Sequence, residues 1–313
     1  MLKGELNGIG PWRLGEVLGA GEHAMVYRGT REGAPPGSPD MAIKVLHAAL
    51  ASDPTTADAF VSRARVGMDL TRLDHPAIVP VHEVVAGPRP YVVMELVDGL
   101  SLARLMPERG RARFALEAAT NLMTALLDAL SAAANVKRVH GRVGASDVLV
   151  KADGGVVITS FGQDGDPRTD FLATHALAQS LGSGWLPEVD AWLDRLADGQ
   201  TPWKDARAAR GAFPLAFTDA GQAALERLVR NRRKKEQKAA ELAAAEAAGS
   251  APAQPEAAPT ERRARGKTTA TKARRPPTPT EAEAAIRQAR VVAVAAAALI
   301  TIALVLELTG FGG

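Results

Sequence analysis

The chain is predicted to be an α+β protein with two lobes, the first built on strands and the second on helices. A linker and one apolar C-terminal helix follow. Three observations predict this. Within residues 10–100, short β-like runs are separated by turn-rich stretches of Gly, Pro and Asp. After residue 100, apolar residues recur at helical spacing over long segments. From about Glu246 the periodicity stops, and residues 291–306 then form a run that is apolar except for Thr301.

The first lobe opens with β-like runs at Trp12–Leu18 and Ala24–Gly29, flanking Gly19-Ala20-Gly21. Met41–Leu46 is a short apolar strand after the turn-rich stretch 33–40. Pro54–Leu73 has helical apolar spacing and stops before His75-Pro76. Ile78–Val85 and Pro90–Leu96 complete the strands of this lobe. The second lobe begins with a long Ala- and Leu-rich helix at Phe114–Ala134. Asp147–Lys151 and Val156–Ser160 flank Ala152-Asp153-Gly154-Gly155, a hairpin signal. Helices are predicted over Thr169–Leu181, Pro187–Leu196 and Asp219–Ala245.

Composition narrows the chemistry. Hydrophobic residues make up 46%, so a sizeable core can form, and the absence of Cys excludes disulfides, thiolate zinc sites and Cys nucleophiles. The formal net charge of +3 is unevenly spread: residues 230–290 hold 15 Lys/Arg against 7 Asp/Glu, which leaves the first 229 residues acidic. Met1–Glu5 contains no apolar core of a secretory signal.

These features divide the chain into a two-lobed body at 1–228, a basic helical extension at 229–245, an Ala/Pro/Thr-rich linker at 246–288 and an apolar span at 289–309. The linker has too little apolar surface to fold and is expected to be disordered. Val291–Leu306 spans ~24 Å as a helix, and extension from Ala289 to Leu308 reaches the ~30 Å of a hydrocarbon core. Arg287 and Arg290 precede it, which by the positive-inside tendency puts the body in the cytoplasm of a single-pass membrane protein. The basic segments Arg230–Lys235 and Arg262–Arg275 suit an anionic lipid surface. Nucleic acid is not the expected partner, because aromatics are not interleaved with these charges. Thr278-Pro279-Thr280 is a candidate phosphorylation site for a kinase acting in trans.

Chemistry-bearing motifs follow one order. Leu18-Gly19-Ala20-Gly21-Glu22-His23-Ala24-Met25-Val26-Tyr27 is a glycine-rich loop, where Gly lets backbone N–H groups approach phosphates. Ala42-Ile43-Lys44 follows on a strand, then His75-Pro76-Ala77-Ile78-Val79, then Tyr91–Gly99. Val139-His140-Gly141-Arg142, Ser160-Phe161-Gly162 and Thr169-Asp170-Phe171 come next. Together they resemble the protein kinase superfamily over roughly residues 10–210, nearest in style to bacterial Ser/Thr kinases.

The resemblance implies a two-lobed kinase fold with an ATP slot. In it, Gly19 and Gly21 cover phosphates, and Lys44 pairs the α/β-phosphates. Val26, Ala42 and Leu149 sandwich adenine, and Glu95 and Val97 bond it through their backbones, with Met94 as gatekeeper. Leu70, His140 and Phe161 match the stack linking the αC helix to the catalytic loop, and Asp170 matches the residue that bonds that loop's backbone.

Departures from the family pattern point away from phosphoryl transfer. Arg142 stands where the family has its catalytic-base Asp, and Ser160 where it has the Mg2+-binding Asp. Gly144 replaces a Lys, and Asp147 replaces the metal-binding Asn. A guanidinium is no general base, and a neutral hydroxyl is a poor ligand for a hard cation, so only Asp147 remains as a weak metal ligand. Val66 takes the place of the αC Glu that pairs with the Lys; Asp69, one turn later, is the alternative partner of Lys44. Few residues separate Phe161-Gly162 from Asp170, so the activation segment is shortened. The reading is a degenerate kinase, a membrane-tethered pseudokinase that binds a true kinase or other envelope or signalling proteins, with weak, largely Mg2+-independent ATP binding. The competing readings are an active transferase using Asp147, Asp164 or Asp166, and an adaptor whose phosphate site is filled by Glu22 and Arg142.

Overall fold

The computed structural model describes residues 6–106, 114–162, 166–182, 186–197 and 205–249. All belong to the first of two units, Met1–Ala251. The predicted apolar span, most of the linker and Thr278–Thr280 lie outside the described residues. Among the described residues, no helix is long and apolar enough to cross a membrane.

The first lobe is a six-stranded antiparallel sheet of order β1-β2-β3-β4-β6-β5. Its strands are β1 (Gly8–Ile9), β2 (Trp12–Ala20), β3 (Ala24–Arg31), β4 (Met41–Leu46), β5 (Val81–Val85) and β6 (Tyr91–Glu95). Between β4 and β5 run α1 (Ala48–Ala51) and α2 (Pro54–Thr71). Asp53 starts α2 by accepting from the N–H groups of Thr55 and Thr56, with Pro54 at the first turn where no N–H is needed. The buried residues of α2 include Val61, Gly67 and Leu70. Strand β5 begins at Val81, three residues later than the hydrophobic run suggests. Pro80 lacks an N–H to continue the ladder, and Ile78 instead forms an isolated parallel bridge with Ile158 of the second lobe.

After the connection at residues 96–98, β7 (Gly99–Ser101), β8 (Val148–Lys151) and β9 (Val156–Ile158) form a small second sheet. The helices are α3 (Leu102–Leu105), α4 (Leu116–Asn135), α5 (Pro167–Leu181), α6 (Pro187–Ala197), α7 (Ala206–Gly211) and α8 (Asp219–Gly249). Helix α4 is the pillar of this lobe, with Leu122, Leu126, Leu127 and Leu130 all 2% exposed or less. Its buried Asn121 donates to the Thr218 carbonyl at 2.8 Å and accepts from the Thr218 N–H at 2.9 Å, fixing the entry to α8. At the β8–β9 turn, Gly154 has φ +81°, and a Cβ there would collide with the Gln222 backbone of α8.

Helix α8 packs its first half through Leu225 and Val229. Its next turns reach the start of the second lobe, where Arg233 bonds Asp98 at 2.6 Å and Arg104 bonds Glu236 at 2.7 Å. The helix continues to Gly249, beyond the predicted end at Ala245, because its Ala- and Glu-rich tail has strong helix propensity up to that Gly.

Candidate functional site: an interlobe cleft

The glycine-rich segment folds as the β2–β3 hairpin. The Gly21 N–H donates to the Ala24 carbonyl at 2.9 Å, so the tip is the short turn Gly21-Glu22-His23. Gly19 lies on β2 opposite Val26, and nothing would obstruct a Cβ there. His47 reinforces the tip by bonding the Gly21 carbonyl at 2.9 Å through Nε2. Lys44 sits on central strand β4, paired with Val26 on one side and Val92 on the other.

The predicted purine-slot residues are brought together. Val26, Ala42, Val97 and Leu149 share one apolar cluster with Met94, although they come from four separate stretches of chain. Glu95 ends β6, paired with Met41, and its N–H donates to the Pro80 carbonyl at 3.0 Å.

The second wall of the cleft is set by Asp170 on α5. Its carboxylate accepts from the N–H groups of His140 at 2.9 Å and Gly141 at 2.7 Å. Burial raises its pKa in spite of these bonds. The fully buried His140 bonds the Thr159 carbonyl at 2.9 Å and packs on Phe161 with ring centroids 4.9 Å apart. Phe161 and Leu70 of α2 belong to the same core. Gly162, at φ +89°, presses on α2 where a Cβ would come within 2.6 Å of the Arg63 carbonyl and 2.7 Å of Val66 Cβ.

These elements enclose a cavity of about 430 Å³. Lys44, Ser160 and Arg142 line it together, and Glu22 and His23 of the hairpin tip close one side. Glu22 and Arg142 therefore border the space without filling it. Lys44 Nζ donates to Ser160 Oγ at 3.4 Å. Burial holds the Lys44 pKa below its ordinary value, while the Asp147 carboxylate opposes that shift. Asp147 Oδ2 accepts from the Gly144 N–H at 2.9 Å, so one of its oxygens is committed to its own turn. Ser160 has φ +69°, a conformation uncommon for a non-Gly residue.

Asp69 is not the partner of Lys44. It bonds Arg138 at 3.0 Å instead, and both side chains of that pair are about half exposed. Val66 packs against the core of the second lobe.

Sequence reasoning overlooked the back wall of the cavity. Phe60, Ala64 and Gly67 line it from α2, facing Val81, Val92 and Met94 of the sheet. The signal was present in the spacing of Phe60, Ala64 and Gly67, which places them on one helical face with two small residues.

A strand-rich lobe and a helical lobe, meeting at a Lys-bearing cleft under a glycine hairpin, define a protein-kinase-like architecture. The chain belongs to the family described as protein tyrosine and serine/threonine kinase, whose model matches residues 12–187. Among similar proteins is the serine/threonine-protein kinase PknB of Mycobacterium tuberculosis, 31% identical over 183 residues, covering 54% of this chain and 28% of the relative. Another is the Streptomyces coelicolor protein described as "Probable serine/threonine-protein kinase SCO3848", 33% identical over 205 residues, covering 61% of this chain and 29% of the relative. The chain thus spans less than a third of the length of these relatives. The crystal structure of the Mycobacterium tuberculosis PknI kinase domain superposes with a TM-score of 0.55 at 22% identity, covering 67% of this chain and 98% of that one. This likeness establishes the shared two-lobed fold.

Proposed function

We propose that this kinase-family chain acts by binding rather than by phosphoryl transfer, as a membrane-tethered scaffold or allosteric regulator of a true kinase or of other signalling or envelope proteins. One observation carries the reading: Arg142 and Ser160, at the two positions where the family pattern calls for carboxylates, line the cavity beside Lys44. The donor set does not fit Mg2+. Ser160 offers a neutral hydroxyl, Arg142 a cation, and Asp147 a carboxylate already bonded to a backbone N–H. Catalysis of this reaction class rests on metal-centred charge stabilisation and a positioned base, and neither follows from these groups.

The purine slot is the better preserved part. The apolar cluster of Val26, Ala42, Val97 and Leu149 supports weak adenine-nucleotide binding with little metal dependence. Membrane attachment rests on the apolar run Val291–Leu306 and the basic residues before it.

The test uses the full chain with labelled ATP and either Mg2+ or Mn2+, scoring label on the chain itself and on a generic acceptor protein. No transfer is expected. Transfer that disappears in Lys44→Met would overturn the reading. In parallel, deletion of 291–313 is expected to move the protein from the membrane fraction to the soluble one.

A further inference from the structure

We propose that the outward face of α8 is a docking surface for an anionic lipid bilayer. The proposal deepens the membrane-tethered reading and rests on it only for keeping a bilayer close.

Packing sets the inner face of the helix. Leu225 and Val229 are buried, and further along Arg233 bonds Asp98 while Glu236 accepts from Arg104 and Arg232. At ~100° per residue the opposite side carries Arg227, Asn231, Lys234 and Lys238, all exposed. Their spacing keeps them in one stripe, ~17 Å long.

The ion pairs sort the charges by face. Arg230 is paired with Glu226, Arg232 with Glu236 and Arg233 with Asp98. Arg227, Lys234, Lys238 and the flanking Lys235 have no ion-pair partner among the described residues. The carboxylate nearest to them beyond these pairs, Glu241, accepts from Gln237. Leu242, one turn past Lys238, is 57% exposed, more than any other large hydrophobic side chain among the described residues.

This pattern fits a bilayer better than a nucleic acid. Three of the four unpaired cations are Lys, whose compact ammonium suits diffuse phosphate headgroups. No aromatic residue stands among them to stack on a base. Cations beside an exposed aliphatic side chain suit a helix lying in a membrane interface. The acidic balance of the first 229 residues gives the attraction a direction, since an anionic surface repels the body and draws the rod. Forty-one residues lie between Gly249 and Val291, and a coil of that length spans ~35 Å, so a tether in the bilayer would keep the stripe near its surface.

The experiment uses the full chain with Asn231→Cys, which is the only thiol because the chain has no Cys. A fluorophore is attached there, and the protein is mixed with vesicles of phosphatidylcholine, alone or with phosphatidylglycerol, each containing a nitroxide-headgroup quencher lipid. Flotation is scored first, then quenching in the floated fraction. Quenching is expected to be at least about twofold greater with phosphatidylglycerol at ~0.1 M salt, and the excess should vanish at ~0.5 M salt. Lys234→Gln/Lys238→Gln should remove most of the excess and Leu242→Gln part of it. Arg65→Gln/Arg72→Gln, which removes as much charge from the exposed surface of α2, should keep it. Flotation with both lipids but equal quenching, or quenching undiminished in Lys234→Gln/Lys238→Gln, would overturn the proposal and leave the tether standing. Flotation only with phosphatidylglycerol, lost in Lys234→Gln/Lys238→Gln, would remove the tether and support the docking surface. Salt-sensitive capture of duplex DNA by the stripe, with no excess quenching by anionic lipid, would reassign it to nucleic acid and overturn the proposal.

Discussion

Lys44 Nζ stands 3.4 Å from Ser160 Oγ, so the charged group that the fold draws between its lobes meets a hydroxyl there. Desolvation lowers the Lys44 pKa. The unfolded chain therefore binds more protons than the folded one between the depressed folded value and the unfolded value. Stability rises with pH across that window, and the full penalty persists below it. Lys44→Met is expected to be more stable than the parent at pH 7 and to flatten this rise. Urea titrations at several pH values between 7 and 10 check it; a parent curve that falls over this range in a Lys44-dependent way contradicts it.

Ser160→Asp should introduce metal dependence. The new carboxylate would face Lys44 across the cavity with Asp147 nearby, and Asp tolerates the left-handed backbone at this position better than Ser. In the parent, ATP is expected to raise the melting midpoint equally with Mg2+ or with chelator. In Ser160→Asp, the rise should be larger with Mg2+. An identical response in both proteins would show that Asp147 is no metal ligand in this setting.

Asp170 holds two buried N–H groups. Asp170→Ala orphans those of His140 and Gly141 and should cost ~2–5 kcal/mol in denaturant unfolding. Asp170→Asn keeps an acceptor oxygen and should cost less than half as much. Because burial raises the Asp170 pKa, the folded state of the parent binds the extra proton, and stability falls as pH rises from the unfolded value through the folded one. Asp170→Asn is expected to lose that acid-side slope.

Asn121→Leu should be among the most damaging changes far from the cleft. It strips both partners from the Thr218 backbone and forces a branched side chain against α8, where Gly221 already permits close approach. The expected loss is ~2–4 kcal/mol, with a lower urea midpoint and an unchanged slope.

Much of this fold was legible because its elements carry strong local signals. Met41–Leu46 matched residue for residue, being a mostly apolar strand, broken only by Lys44, between a turn-rich stretch and a helix. Both ends of α5 were close, since Asp166 and Pro167 make a helix start that sequence reading placed two residues late. What stayed hidden were short elements with no period of their own. β7 (Gly99–Ser101) exists because β8 offers it a ladder, and α3 has a single turn capped by Ser101. The purine-slot residues and the stack of Leu70, His140 and Phe161 were readable as a linear order of motifs. The partner of Asp69 was not, because Arg138 lies 69 residues downstream and only the packed fold brings the two together. The cavity wall on α2 escaped for a related reason: small residues announce space only when the opposite surface is known.

Helix α8 has a mechanical consequence. At ~1.5 Å per residue its 31 residues make a rod about 46 Å long, rooted at Leu225 and Val229 and continuing ~20 Å past Glu236. Near the middle of that rod, Arg233 grips Asp98, three residues beyond the end of β6, where the chain passes from one lobe to the other. A sideways load on the distal end turns the rod about its root and pulls on the Arg104–Glu236 pair and on that exposed, easily released grip. The heading of the rod is thus geared, through Asp98, to the segment that joins the two lobes.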